Sequence, residues 1–427
     1  MEKKAIASNG VPVYYYKQPN THSICIALYV KTGSLYEHEH PGISHFLEHL
    51  HFRKLGGRTQ RELYYELETI GAYLGASTSK EFLQFNLTSA PQYFSQLSRI
   101  AADLLGQLEA DTKDFTAEKR LILSEIRESE QNNCIDFLCN KHVWENTNLQ
   151  HPILGTISSV SKLTLPILQN EKEQTFTKNN IFYYISGSFN DDDITVLIKE
   201  IERYSLQSRP KTKNDNVASI PANFKDRNAF ARISQRKWDM HEVRISFDVD
   251  FASVGRRELL YLDSILVDGL CSLLRSELIE KKGLIYSLSS TIEQYRNIGM
   301  YYLSFSVFKS NLYQVVQGFV DVINQVKLDI SNEDMEATRV FKTDNQLMLL
   351  DDPESLNWNF AYENHILENQ YSSIVEFADA YRQITKQKLI EITNEVFTPN
   401  NAIIVSMGKK KGLSASKLQE ILAEGLK

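Results

Sequence analysis

The chain has 427 residues, 42% hydrophobic and 24% charged, with a net charge of −7. That is enough globular material for two or more domains with real cores, and it excludes a disordered tail, a disulfide miniature and the basic footprint of a nucleic-acid binder. Cys25, Cys134, Cys139 and Cys271 lack metal-ligand spacing, no apolar run approaches the ~20 residues of a membrane span, and the N-terminus carries no signal or presequence pattern, so a cytoplasmic protein is expected.

In chain order, Val11 to Tyr16 and Ser23 to Val30 alternate like paired strands around a polar turn, with Ile24, Ile26, Leu28 and Val30 pointing one way. Gly33 and Pro41 punctuate a loop that leads into GISHFLEHLHF, Gly42 to Phe52. If this stretch is helical, His45 and His49 stand one turn apart on one face, with Glu48 beside them. Two neutral imidazoles can hold one zinc ion, and an unligated carboxylate next to them can take a proton from a water the metal has acidified. The letters H-x-x-E-H are the inverted zinc-peptidase motif, although an ordinary amphipathic helix could carry the same residues. His38, His40 and His51 read as loop or rim histidines.

A second helix, from about Gln60 to Ile70, ends at Gly71. Strands follow from Tyr73 to Thr78 and Glu81 to Thr88, then a helix bearing Phe94, Leu97, Ile100 and Leu104. A catalytic zinc takes a third protein ligand, and the candidate segment is TAEKRLILSEIRESEQ, residues 116–131. Leu121, Ile122 and Ile126 mark an apolar stripe there. Glu125 falls on it, and Glu118 lies two turns earlier on the same face. Either these carboxylates serve a metal site or the helix turns that edge to solvent.

HFLEH at 45–49, followed far downstream by Glu125 in ILSEIRE, resembles the pitrilysin family of zinc peptidases, in its half-length branch with the mitochondrial processing peptidases. GSLYEHEHPG, GAYLGASTSKE, HPILGT and KKGLIYS fit the same resemblance, which covers essentially the whole chain. It implies an endopeptidase with one Zn2+ per chain held by His45, His49 and Glu125, Glu48 as general base and Glu118 as a supporting carboxylate. It also implies substrate contacts at Gly75 and Ala76 on an edge strand, and at Tyr286. Two positions depart from the family: Gly75 replaces its usual Asn, and Ile279 its usual Arg.

The chain also repeats itself. FTKNNIFYYISG at 176–187 recurs as FTPNNAIIVSMG at 397–408, and the Glu66–Gly71 helix end is echoed from Glu277 to Gly283, followed by an apolar stripe from Leu312 to Ile323. Two homologous halves are expected, 1–207 with the metal site and 237–427 without it, joined by a polar linker at 208–236. In the second half a helix near Glu258 to Leu274 would take the place of the motif helix. The expected class is α+β, with antiparallel sheets packed by helices, the halves forming half of a clamshell chamber around a peptide. Leader or presequence processing follows from the resemblance, for instance of a bacteriocin precursor by a subtilosin-type maturation peptidase. A non-catalytic scaffold subunit and general short-peptide degradation are the alternatives. The expected partners are the peptide and a sister chain, or otherwise a second copy, with no nucleic acid and no membrane span.

Overall fold

The computed structural model describes the chain apart from His38, Asn133, Asn146, residues 209–229 and Lys427. It forms two compact units, and each is assembled from discontinuous segments. The first contains Met1–Asn132, Asn146–Ala218 and Leu347–Glu376, and the second Asn133–Glu145, Ser219–Gln346 and Phe377–Lys427.

In the first unit, strands β1 (Glu2–Ile6), β2 (Pro12–Lys17) and β3 (Ile24–Val30) precede helix α1 (Ile43–His51). A small hairpin, β4 (Lys54–Leu55) and β5 (Arg58–Thr59), leads to α2 (Gln60–Thr69), β6 (Tyr73–Thr78) and β7 (Leu83–Ser89). Helices α3 (Phe94–Asp103) and α4 (Thr112–Asn132) follow, and β8 (Ile181–Gly187) completes a six-stranded sheet of order β1-β2-β8-β3-β7-β6. β2 and β3 do not pair with each other, as the sequence had suggested, because β8 lies between them. A strand inserted between two neighbours of opposite direction must run parallel to one. β8 is parallel to β2, so the sheet is mixed rather than purely antiparallel.

Every residue of β3 is buried, because the sheet is covered on both faces. Ile24, Ile26, Leu28 and Val30 join Phe46, Leu47 and Leu50 of α1 and Phe94 and Leu97 of α3 in one apolar core. Over the opposite face lies the helix Pro353–Ala361, which comes from late in the sequence. Its buried Asn357 donates to the carbonyl of Tyr184 at 2.8 Å and accepts from the Tyr29 hydroxyl at 3.0 Å.

The second unit repeats this plan with β9 (Phe230–Gln235), β10 (Met240–Asp250), β11 (Ile285–Tyr295), β12 (Ile298–Phe308) and β13 (Ala402–Gly408), in the order β11-β12-β10-β13-β9. Here β13 is parallel to β9 and antiparallel to β10, the same relations that β8 has to β2 and β3. The 176–187 and 397–408 repeats thus lead into matching strands. Most of the expected linker, 209–229, lies outside the described residues, but its end, Phe230–Gln235, is strand β9. The long helix expected from Glu258 to Leu274 is broken. Arg256–Asp263 is helical and runs into a wider turn at Ser264–Asp268, where Gly269 with extended backbone ends it.

Candidate metal centre

Helix α1 begins at a glycine, Gly42, with φ 93° and no side-chain cap of its own. Glu37 supplies the cap from five residues upstream: its carboxylate accepts from the N–H of Gly42 at 2.6 Å and of Ser44 at 2.9 Å. Two of the orphan donors at the helix start are thereby satisfied. Burial nevertheless pushes the Glu37 carboxyl up to about 7.

Along α1, Phe46, Leu47 and Leu50 face the core, which leaves His45, Glu48 and His49 beside α4 and the end of β6. His45 and His49 bring their Nε2 atoms to 3.2 Å, and Glu125 Oε2 of α4 stands 4.0 Å from His45 Nε2. Among the described residues these three form the one group whose ligand atoms all lie within 4.8 Å of one another. Leu121, expected on the apolar stripe, is 55% exposed; the buried stripe runs through Glu118, Ile122 and Ile126, each four apart. Glu125 therefore sits at the edge of that stripe, half-exposed, rather than on it.

Glu118 is buried and accepts from His49 Nδ1 at 2.9 Å and from Arg53 Nε. Burial alone would raise its carboxyl, but the bonds from His49 and Arg53 outweigh that and hold it below the usual carboxylate range. The same bond raises His49 above the ordinary histidine value. It also places a proton on His49 Nδ1, so that the lone pair on Nε2 faces His45. Burial, aided by the neighbouring His49 ring, pushes His45 down to about 4, which leaves it neutral at physiological pH.

The donor set fits a zinc ion. Two nitrogens on one tetrahedral zinc at about 2.05 Å are about 3.3 Å apart, close to the separation here. Without a cation, the two Nε2 atoms can stand this close only if one of them carries a proton and donates to the other. Glu48 is not part of the ligand group. The Thr78 hydroxyl, at the end of β6, donates to its Oε2, and burial raises its carboxyl above the ordinary value.

Gly75 and Ala76 lie on β6, which is an edge of the first sheet. Tyr286 belongs to the second unit, on its own edge strand β11, where it is 93% exposed. Ile279 is in that unit too, in the turn Ser276–Lys281. His51 is no rim residue: it is buried, with Nδ1 donating to the Leu47 carbonyl and Nε2 2.5 Å from Lys172 Nζ. The sequence reading missed Glu37, Arg53 and Thr78. Arg53 was within reach of it, four residues after His49 and just past the end of α1. Thr78 was not, since only the folded sheet brings the end of β6 to α1.

A family model described as "Insulinase (Peptidase family M16)" matches residues 13–157, and one described as "Peptidase M16 inactive domain" matches 162–339. The chain is 22% identical over 412 residues to an uncharacterised zinc protease, YmxG, of Bacillus subtilis (strain 168), covering 94% of this chain and 97% of that one. It is 30% identical over 202 residues to the mitochondrial-processing peptidase subunit beta of Caenorhabditis elegans, 47% of this chain and 43% of that protein. The crystal structure of a peptidase M16 inactive domain from Pseudomonas fluorescens superposes with a TM-score of 0.84 at 14% identity, over 96% of this chain and 98% of that one. Two models of one family thus match consecutive stretches of the sequence, over a fold that the solved structure shares, and the protein belongs to peptidase family M16.

Proposed function

We propose that the chain is a zinc-dependent endopeptidase that takes peptides in extended form along β6. The observation that carries this reading is the convergence of His45, His49 and Glu125 on one point, with Glu48 outside the ligand group and bonded to the edge strand through Thr78. Zinc bound by those three residues would polarise a peptide carbonyl and acidify water. Glu48, with a carboxyl raised by burial, takes the proton of the attacking water and passes it to the leaving amine. His49 is held in one tautomer by Glu118, which Arg53 anchors in turn. The unpaired N–H and C=O groups of β6 accept the peptide as an added strand.

Glu48→Gln separates this reading from a scaffold role. The variant should keep its zinc and lose turnover of a peptide mixture, whereas His49→Ala and Glu125→Gln should lose most of the zinc. Wild-type turnover in Glu48→Gln, or full zinc in both ligand variants, would defeat the assignment.

The finer reading is removal of a leader or presequence, with a bacteriocin-type precursor as the proposed substrate and the cytoplasm as the compartment. The relatives named zinc protease and mitochondrial-processing peptidase support processing as the class. The buried free thiols of Cys25 and Cys139 suit a reducing compartment. We also propose a sister chain as partner. Ile279 offers no donor for a substrate carbonyl, and Lys281 and Lys282 are both drawn to Glu277, at 3.6 and 2.8 Å. The isolated chain should bind zinc yet cleave slowly until the sister chain is added. Full activity alone, with no gain from Ile279→Arg, would rule the partner out.

A further inference from the structure

The outer face of β6 has a gap. Tyr73, Gly75 and Ser77 alternate onto the face that the helix Pro353–Ala361 covers further in, and each pairs across to a residue of β7: Thr88, Asn86 and Gln84. At the middle position there is no side chain, and the Asn86 carboxamide leans into the space. A Cβ added at Gly75 would lie 2.6 Å from Asn86 Oδ1. Gly75 does not have the left-handed φ that would demand glycine, so what the missing side chain provides is room.

Asn86 is oriented from behind. Its Nδ2 donates to Glu354 Oε1 at 2.8 Å, which turns Oδ1, an acceptor, toward the gap. Glu354 receives a second, long bond from Thr88 at 3.4 Å and pairs with no basic side chain among the described residues. Further along, Trp358 and Tyr362 stack at 5.0 Å, with Tyr362 against Phe82.

We propose that Gly75, Asn86 and Glu354 form a subsite for a lysine or arginine side chain on the docked peptide. The inference rests on the reading of β6 as the docking edge. In an added strand, the residue opposite Gly75 has its Cβ about 5 Å from the Gly75 position. A side chain of several methylenes can cross the bare glycine, offer N–H donors to Asn86 Oδ1 and bring its charge toward the Glu354 carboxylate. A short polar side chain does not reach, and an acidic one meets Glu354 with like charge. This subsite lies on the sheet face opposite the metal centre, so it reads a residue that points away from the scissile bond.

The test is a binding measurement on the zinc-loaded Glu48→Gln protein, which does not depend on turnover. Fluorescein-labelled extended peptides of one background sequence carry a single lysine walked through every position, each matched by norleucine. At one position lysine should bind about tenfold more tightly than norleucine. Glu354→Gln and Asn86→Ala should each erase that preference while norleucine peptides bind as before, and Gly75→Ala should weaken it by forcing the amide aside. If peptides bind but lysine and norleucine are equal at every position, the subsite is overturned and the docking edge stands. A preference that survives Glu354→Gln, or that favours aromatic residues instead, also overturns it. If no peptide binds the zinc-replete protein, the docking edge falls and the subsite with it.

Discussion

The Thr78 hydroxyl donates to Glu48 Oε2 at 2.5 Å, so the last residue of the edge strand touches the carboxylate that would act as base. One contact would thus couple the position of a peptide docked on β6 to the orientation of Glu48. Thr78→Val keeps the shape of the residue and removes the donor. We expect kcat to fall about tenfold with KM and zinc content unchanged, and Thr78→Ser to recover most of the loss. Equal kcat in the valine variant would show that Glu48 orients without this bond.

Glu118 should act on the metal through His49. Glu118→Gln retains an acceptor but loses the charge that Arg53 and His49 both use, so zinc affinity should weaken about 10 to 100-fold in competition with a chelator while the fold persists. Wild-type zinc affinity in this variant would reduce Glu118 to a partner of Arg53 alone.

Glu37 predicts a pH dependence of stability. In the folded chain its carboxyl titrates at about 7, above the ordinary 4.5. Below 4.5 the folded and unfolded states are both protonated, and nothing is lost. Between 4.5 and 7 the unfolded chain releases its proton first, so stability falls as pH rises, and it stays at the lower level above 7. The full loss is on the order of 3 kcal/mol. Glu37→Gln cannot ionise, so the fall between pH 5 and pH 8, read from urea midpoints of metal-stripped protein, should shrink by about that amount. An unchanged slope would mean that the two N–H bonds from Gly42 and Ser44 keep Glu37 charged throughout.

Asn357 holds the helix Pro353–Ala361 on the first sheet. Asn357→Leu would leave the Tyr29 hydroxyl without its acceptor and the Tyr184 carbonyl and Ser186 hydroxyl without their donor. Destabilisation of about 2 to 4 kcal/mol is expected in chemical denaturation. A change under 0.5 kcal/mol would show that apolar packing alone seats this helix.

Much of this was legible in the sequence because it is local. The i, i+4 spacing of His45 and His49, the two-turn spacing of Glu118 and Glu125, and the alternation in β3 each follow from the geometry of a single element. The duplication was legible because matched segments recur in order. What was not legible depends on which elements meet. Leu121 appeared to belong to an apolar stripe that the packing of α4 places elsewhere, and His51 looked like one more rim histidine until Lys172 was found against it. The insertion of β8 between β2 and β3 is likewise a matter of long-range pairing. Asn86 filling the space of Gly75 needs the register of two strands, which no spacing along one strand encodes.

The exchange of segments between the units bears on the order in which the chain can fold during synthesis. The amide of Glu2 bonds to the carbonyl of Ser372, and Asn357 caps hydrogen-bonding groups on strands formed more than 170 residues earlier. Until residue 376 of 427 has left the ribosome, the first sheet therefore has one uncovered face, with Cys25, Tyr29 and Tyr184 open to water. Contacts this distant in sequence form slowly, and an exposed sheet face invites wrong partners in the interval. A truncation at the midpoint of the sequence would make that transient state permanent, so the half that carries His45, His49 and Glu125, expressed alone, should collect in the insoluble fraction rather than report on zinc at all.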